Sequence, residues 1–195
     1  MTGAQPSPSA RQAELLELAY RYAVQRGRTD ITLRPIAAAI GSSPRVLIYL
    51  FGSKDGLIRA LLGRARADEI AMLAELRADD WPAGAGLAEA GQRIWSWLSD
   101  PARRPLLRLW LDGYSRSLTE PDGPWSGFAQ ATVADWLSLL AKVQPAARRD
   151  SPEGLAERTL LLAVLRGALL DLLSTGDEAR TGAAVRLQLA ALTAS

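Results

Sequence analysis

LRPIAAAIGSSPRVLIYLF, residues 33–51, reads as two short helices joined by one tight turn. Ala37, Gly41 and Leu47 stand at the first, fifth and eleventh positions of a helix-turn-helix. They supply a small residue where the first helix meets the second, a glycine at the turn, and an apolar residue that locks the second helix down. Ile36, Ile40, Leu47 and Leu50 complete the buried side, spaced four and three residues apart within each helix. Ser43, Pro44, Arg45 and Tyr49 fall on the solvent side of the second helix. These groups suit a phosphate backbone and a major groove, so the stretch points to DNA binding.

The flanking sequence carries the punctuation this arrangement needs. A helix runs from Ser9 or Ala10 to about Arg26, with Leu16, Ala19, Tyr20 and Ala23 on one face and Gly27 as its stop. Thr32 suits the N-cap of the next helix, and Pro35 then falls in the first turn, where its missing N–H removes no bond. Ser43 caps the third helix, with Pro44 at the position that favours proline. Ser53 caps a long fourth helix reaching about Arg77, with Leu57, Leu61, Ala65 and Met72 along its inner side.

DDWPAGAG at 79–86 is a loop of aspartate, proline and glycine. Helices are expected at 87–99, 102–118 and 125–142, then a loop over PAARRDSP. A helix from Pro152 to about Ser174 and a last one over 178–193 close the chain. No segment alternates with period two, so the fold class is all-α.

Composition narrows the function. The 195 residues contain no cysteine and no histidine, which removes disulfides, thiolate nucleophiles, zinc fingers, the commonest metal ligand and the commonest general base. No catalytic residues, no cofactor and no metal site are expected, and the protein is not read as an enzyme. MTGAQPSPSAR is polar and precedes no apolar run, so neither a signal peptide nor a membrane span is expected, and the location is read as cytoplasmic. The net charge of +2 is unevenly placed. Residues 1–66 hold ten Arg and Lys against four acids, whereas the remainder holds 13 against 17. A basic front on an acidic body suits a protein that meets a polyanion at one end.

LLLAVLRGALLDLL at 160–173 is apolar on more than one face, so it needs burial on nearly all sides. One covering surface is a second copy of the chain, and Gly167 and Ala168 would allow a partner helix to approach closely; the other possibility is a central helix of its own domain. The six tryptophans, at 81, 95, 97, 110, 125 and 136, all lie outside the basic front. With Tyr114, Phe128 and Leu109 they line an apolar cavity or fill plain core. Trp95 and Trp97, two residues apart, cannot both point inward, so at least one meets a loop, a pocket or a partner. Asp112, Arg116 and Asp135 supply polar contacts there or lie on solvated surface.

LLELAYRYAVQRG at 15–27, ITLRPIAAAIGSSPRVLIYLF at 31–51 and GSKDGLIRALL at 52–62 resemble the first helix, the helix-turn-helix and the start of the fourth helix in the TetR (tetracycline-repressor-like) family of transcriptional regulators. VLRGALLDLLSTGD is similar to the helix pair through which such proteins dimerise. The resemblance implies a homodimer that places two recognition helices, here 43–51, in the major grooves of a palindromic operator on double-stranded DNA. It also implies a body that binds a small apolar effector. Three divisions follow: a disordered tail (1–8), a DNA-binding domain (9–52), and a ligand-binding and dimerisation domain (53–195) with dimer helices at about 152–174 and 178–193.

The resemblance also implies roles for single residues. Thr32 meets a phosphate or only caps its helix, as does Ser43. Arg34 reaches a phosphate or a guanine edge, unless Asp30 pairs with it. Arg45 reads bases, Pro44 and Val46 touch thymine methyls, and Tyr49 and Lys54 hold the backbone. Trp95, Trp97, Trp110, Tyr114, Trp125, Phe128 and Trp136 are the implied pocket residues, and Leu161, Val164, Leu165, Ala168, Leu172, Leu187 and Ala191 the implied dimer contacts. Ile48 and Leu50 depart from the family pattern, which commonly has Tyr and then His or Tyr there, so two donors to phosphate are missing. The resulting reading is a DNA-binding regulator, a repressor released by its ligand. A helical enzyme or carrier for an apolar molecule, and a ligand-independent DNA binder, are the competing readings.

Overall fold

A computed structural model of the chain describes residues 8–27, 32–78 and 86–193. The helices are α1 (Pro8–Arg26), α2 (Leu33–Ala39), α3 (Pro44–Phe51), α4 (Lys54–Ala78), α5 (Gly86–Ser99), α6 (Arg104–Thr119), α7 (Phe128–Val143), α8 (Ala146–Arg149), α9 (Pro152–Thr175) and α10 (Glu178–Thr193), with a 3₁₀ turn at Pro101–Arg103. No strand occurs among the described residues. The chain forms two compact units, Met1–Glu69 with Pro105–Ala129, and Ile70–Arg104 with Gln130–Ser195. The expected boundary after Gly52 therefore falls inside the first unit. Most of the 79–86 loop, the 1–7 tail and Asp30 lie outside the described residues.

In the first unit, α1 to α4 enclose Leu15, Ala19, Tyr20, Ala23, Ile36, Ala37, Ile40, Leu47, Leu57, Leu61 and Ala65. Ala19, Tyr20 and Ala23 are buried as expected, and the inner face of α1 takes the fully buried Leu15 where Leu16, only partly buried, was expected. The turn between α2 and α3 has a specific construction. Ser42 N–H donates to the Ala37 carbonyl at 2.8 Å and Gly41 N–H to the Ala38 carbonyl at 3.4 Å, the paired bonds that close a helix through a left-handed residue. Gly41 adopts φ +64°, which a residue with a Cβ rarely takes. The same core includes Leu109 of α6, Trp125 and Phe128, the two rings meeting edge to face at 5.8 Å. Trp125 stands in a turn before α7, which begins at Phe128 rather than at 125. Ser117 of α6 accepts from Ala129 N–H at 3.1 Å, supplying a cap to α7 that its own sequence lacks.

The second unit buries one face each of α5, α9 and α10 against the others, with Ile94, Trp95, Leu161, Leu165, Leu172, Val185 and Leu189 inside. At Gly91 a Cβ would lie 2.5 Å from Leu189 and 3.0 Å from Leu161, so the glycine permits the three helices to close up. Ser151 Oγ accepts from Gly154 N–H at 3.0 Å with Pro152 at the first helical position, the start that α9 was expected to have. The stretch 145–152 is not wholly a loop: Arg148 and Arg149 N–H groups both donate to the Pro145 carbonyl at 2.9 Å and form the single turn α8. Buried Gln144 holds that turn against α9, donating to the Gly154 carbonyl at 3.0 Å and accepting from Arg158 at 2.9 Å.

Candidate DNA-binding site

The helix-turn-helix works as a rigid mount because the inward face of α3 is fixed. Leu47 has no exposed surface, and Leu50 and Phe51 pack against the same core. Fully burying a leucine stabilises a fold by about 1.5–3 kcal/mol, which outweighs the helix propensity of an eight-residue segment too short to hold its shape alone. The N-terminus of α3 is closed by Ser43 Oγ, which accepts from Val46 N–H at 3.3 Å. A second tie comes from α1, where the Gln12 amide donates to the Leu50 carbonyl at 2.8 Å. Nothing in the local sequence signals that tie, because it spans 38 positions.

The opposite face of α3 is open. Tyr49 is 76% exposed, Ile48 41% and Val46 38%, and Arg45 is exposed and pairs with no acid among the described residues. Tyr49 therefore does not lie against the core, and Arg45 is free to engage an outside partner. Ile48 adds an apolar side chain to this exposed surface. Ser43 is exposed and engaged as a cap, while Pro44 is half-buried.

Thr32 occupies the N-cap of α2 in extended backbone geometry without a side-chain cap bond, so its exposed hydroxyl retains its full capacity. Arg34 is exposed in the first turn of α2, and Lys54 is exposed at the first position of α4, just past the cap in which Ser53 Oγ accepts from Gly56 N–H at 2.9 Å. Three helix starts thus carry cations or free hydroxyls, and oriented N–H groups there favour anions.

α4 is bound to α1 by charge. Tyr20 OH donates to Asp68 at 2.8 Å, and Arg64 donates to Glu17 at 2.5 Å and also to Asp68 while covering the Tyr20 ring at 4.9 Å. Burial and the Asp68 carboxylate hold the Tyr20 phenol well above the usual tyrosine range, so it stays a donor at all physiological pH.

The expected pocket residues are divided between the units. Trp110, Tyr114, Trp125 and Phe128 pack in or against the core shared with the helix-turn-helix, whereas Trp95 and Trp136 are buried in the second unit. Trp97 is half-buried with the Arg103 guanidinium 4.3 Å above its ring, so it is the one of the adjacent pair that meets a turn. A cleft of about 510 Å³ in the second unit is lined by Trp95 alone of the seven. Asp112 and Glu120 flank Arg116 on α6 at 3.6 and 3.2 Å, a surface ladder.

The expected dimer contacts are corrected in part. Leu161, Leu165 and Leu172 are 0–1% exposed and belong to the core of their own unit, while Val164 and Ala168 are half-buried. The open apolar face of α9 is turned away from them and carries Leu160, Ala163, Gly167 and Leu170; on α10, Leu187 and Ala191 are exposed. α9 does bury one side and leave leucines on the other, as an all-round apolar helix with one partner surface must.

The fold and the exposed face of α3 define a helix-turn-helix DNA-binding regulator. Residues 15–61 match the family described as bacterial regulatory proteins, tetR family. Solved structures share the fold over nearly the whole chain. A TetR-family transcriptional regulator from Agrobacterium tumefaciens superposes with a TM-score of 0.70 at 18% identity, covering 95% of this chain and 99% of its own. A transcriptional regulator from Rhodococcus sp. Rha1 gives 0.67 at 20% identity, covering 96% of each chain. A TetR-like regulator, also from Rhodococcus sp. RHA1, gives 0.60 at 20% identity, covering 95% of this chain and 94% of its own. No curated protein matches the sequence. Among the described residues no helix is long and apolar enough to cross a membrane.

Proposed function

We propose that the protein is a homodimeric, ligand-released repressor that reads a palindromic operator with α3. The observation that carries the reading is the two-sidedness of α3: Leu47 fully buried, Arg45 and Tyr49 exposed to solvent. Arg45 reads base edges, with Arg the residue best matched to guanine O6 and N7. Val46 and Pro44 touch thymine methyls, and Tyr49, Lys54 and the free Thr32 hydroxyl hold phosphates, with Arg34 on a phosphate or a guanine.

Two copies join through the open face of α9, where Ala163 and Gly167 admit close approach and Leu160 and Leu170 supply buried area, with Leu187 and Ala191 of α10 beside them. Release requires an effector that prefers one spacing of the two heads over the other, and the effector is a small molecule bound within the body. Such a protein works in the cytoplasm and has no catalytic step. Selection of genome fragments by the purified protein tests the reading. It succeeds if the recovered sites are inverted repeats whose half-sites lie one duplex turn, ~34 Å, apart or a multiple of it. Recovery of fragments without a shared sequence overturns it.

A further inference from the structure

We propose that the cleft between α5 and α10 binds the carboxylate of a small hydroxylated carboxylic acid. Two donors converge on its floor. Gly182 is buried in the second turn of α10 with an ordinary helical backbone, so no local geometry demands a glycine there. A Cβ at that point would lie 3.3 Å from Arg186 Nη1 and 3.7 Å from Trp95 Nε1. Absence of the methyl leaves an opening that faces both N–H groups. Trp95 is only 5% exposed, yet its indole N–H takes part in no hydrogen bond among the described residues. That N–H is accessible at the cleft and makes no bond within the protein, so an incoming oxygen meets a donor already held in place. Arg186 likewise pairs with no acid among the described residues, although Arg180 on the same helix is held by both Asp171 and Asp177.

The remaining lining defines the ligand. Ser96 Oγ donates to the Gln92 carbonyl and Ser99 Oγ to the Ser96 carbonyl, so both hydroxyls turn acceptor lone pairs to the cleft. The Glu178 carboxylate is another acceptor in the lining. One guanidinium and one carboxylate leave the cleft near neutrality, which suits a single negative charge and opposes a divalent oxyanion. N–H donors beside Gly182 and oxygen acceptors in the same lining fit a carboxylate carrying hydroxyl groups. A volume of about 510 Å³ holds a molecule of several carbons.

Calorimetric titration of the full chain, without DNA, tests the site separately from the operator reading. The probes are gluconate, lactate, acetate, glucose and sulfate. Gluconate and lactate are expected to bind more tightly than acetate, and glucose and sulfate not at all. Arg186→Gln and Gly182→Ala each weaken gluconate at least tenfold. The alanine variant melts at or above the wild-type temperature, since alanine is the better helix residue and only the flexible Arg186 tip must move. Trp95→Phe, which keeps a ring and loses the N–H, also weakens gluconate. Equal binding of glucose and gluconate, unchanged affinity in both Arg186→Gln and Gly182→Ala, or no binding by any of the three carboxylates at ~10 mM overturns the proposal.

Discussion

The side-chain amide of Gln12 on α1 donates a 2.8 Å hydrogen bond to the backbone carbonyl of Leu50 in the last turn of α3. Carbonyls at a helix end have no partner within the helix, so this bond satisfies an orphan acceptor and ties the recognition helix to its support. The tilt of α3 is thereby set by backbone as well as by the packing of Leu47.

Gln12→Ala removes the tie without opening the core. A loss of about 0.5–1.5 kcal/mol in folding stability is expected from one half-buried hydrogen bond. Affinity for a selected operator falls further than affinity for random duplex, because only specific contacts depend on the placement of α3. Urea unfolding and fluorescence anisotropy measure the two effects.

The two faces of α3 predict opposite outcomes for neighbouring residues. Leu47→Ala empties a fully buried position and costs about 2–5 kcal/mol. Ile48→Ala, at a position 41% exposed, stays within about 0.5 kcal/mol of wild type. Denaturant melts of the two variants separate them, and similar losses would mean that α3 is turned differently.

Arg180 of α10 grips Asp171 of α9 with two hydrogen bonds of 2.6 and 2.7 Å. The guanidinium holds the Asp171 carboxyl below its usual range. A carboxylate depressed on folding contributes stability above its unfolded pKa of ~3.9, and that contribution is lost as pH falls through the lower folded value. Wild type is therefore expected to melt above Asp171→Asn at neutral pH, the curves converging in acid. The pair is exposed, so the gap is small and shrinks in high salt. Thermal melts across pH check this, and a gap that widens in acid contradicts it.

Gly167→Arg places a long cation on the open face of α9, where a Cβ meets nothing within 4 Å in the single chain. The folded monomer tolerates it, and a second copy does not. Sedimentation is expected to show monomers with unchanged helix content. Binding to a full operator weakens at least tenfold, while binding to an isolated half-site is unchanged.

The N-terminal module was legible because its signals are local. The Ala37, Gly41, Leu47 spacing, the Ser43 cap with Pro44 behind it, and Ser53 before α4 each act within a few residues, and each is realised. The body was less so, because its assignments depend on which of two faces a helix turns inward. LLLAVLRGALLDLL announces burial but not the face that receives it, so Leu161, Leu165 and Leu172 were read as outward when they fill the core. Trp125 and Phe128 are aromatic at helical spacing, yet they join the core beside α1 to α4, a long-range pairing no periodicity encodes. α8 escaped notice because proline, alanine and arginine in PAARRDSP read as a loop, while Gln144 secures the turn from outside it.

The most direct measurement of the central claim is anisotropy titration of a selected operator and a random duplex, across a series of salt concentrations, with wild type, Arg45→Ala and Lys54→Ala. Arg45→Ala is predicted to lose about 1–3 kcal/mol on the operator and little of that on random DNA. Lys54→Ala is predicted to weaken both duplexes alike and to flatten the salt dependence by about one unit. Equal losses on the two duplexes for Arg45→Ala, or wild-type binding that ignores salt, would contradict the account.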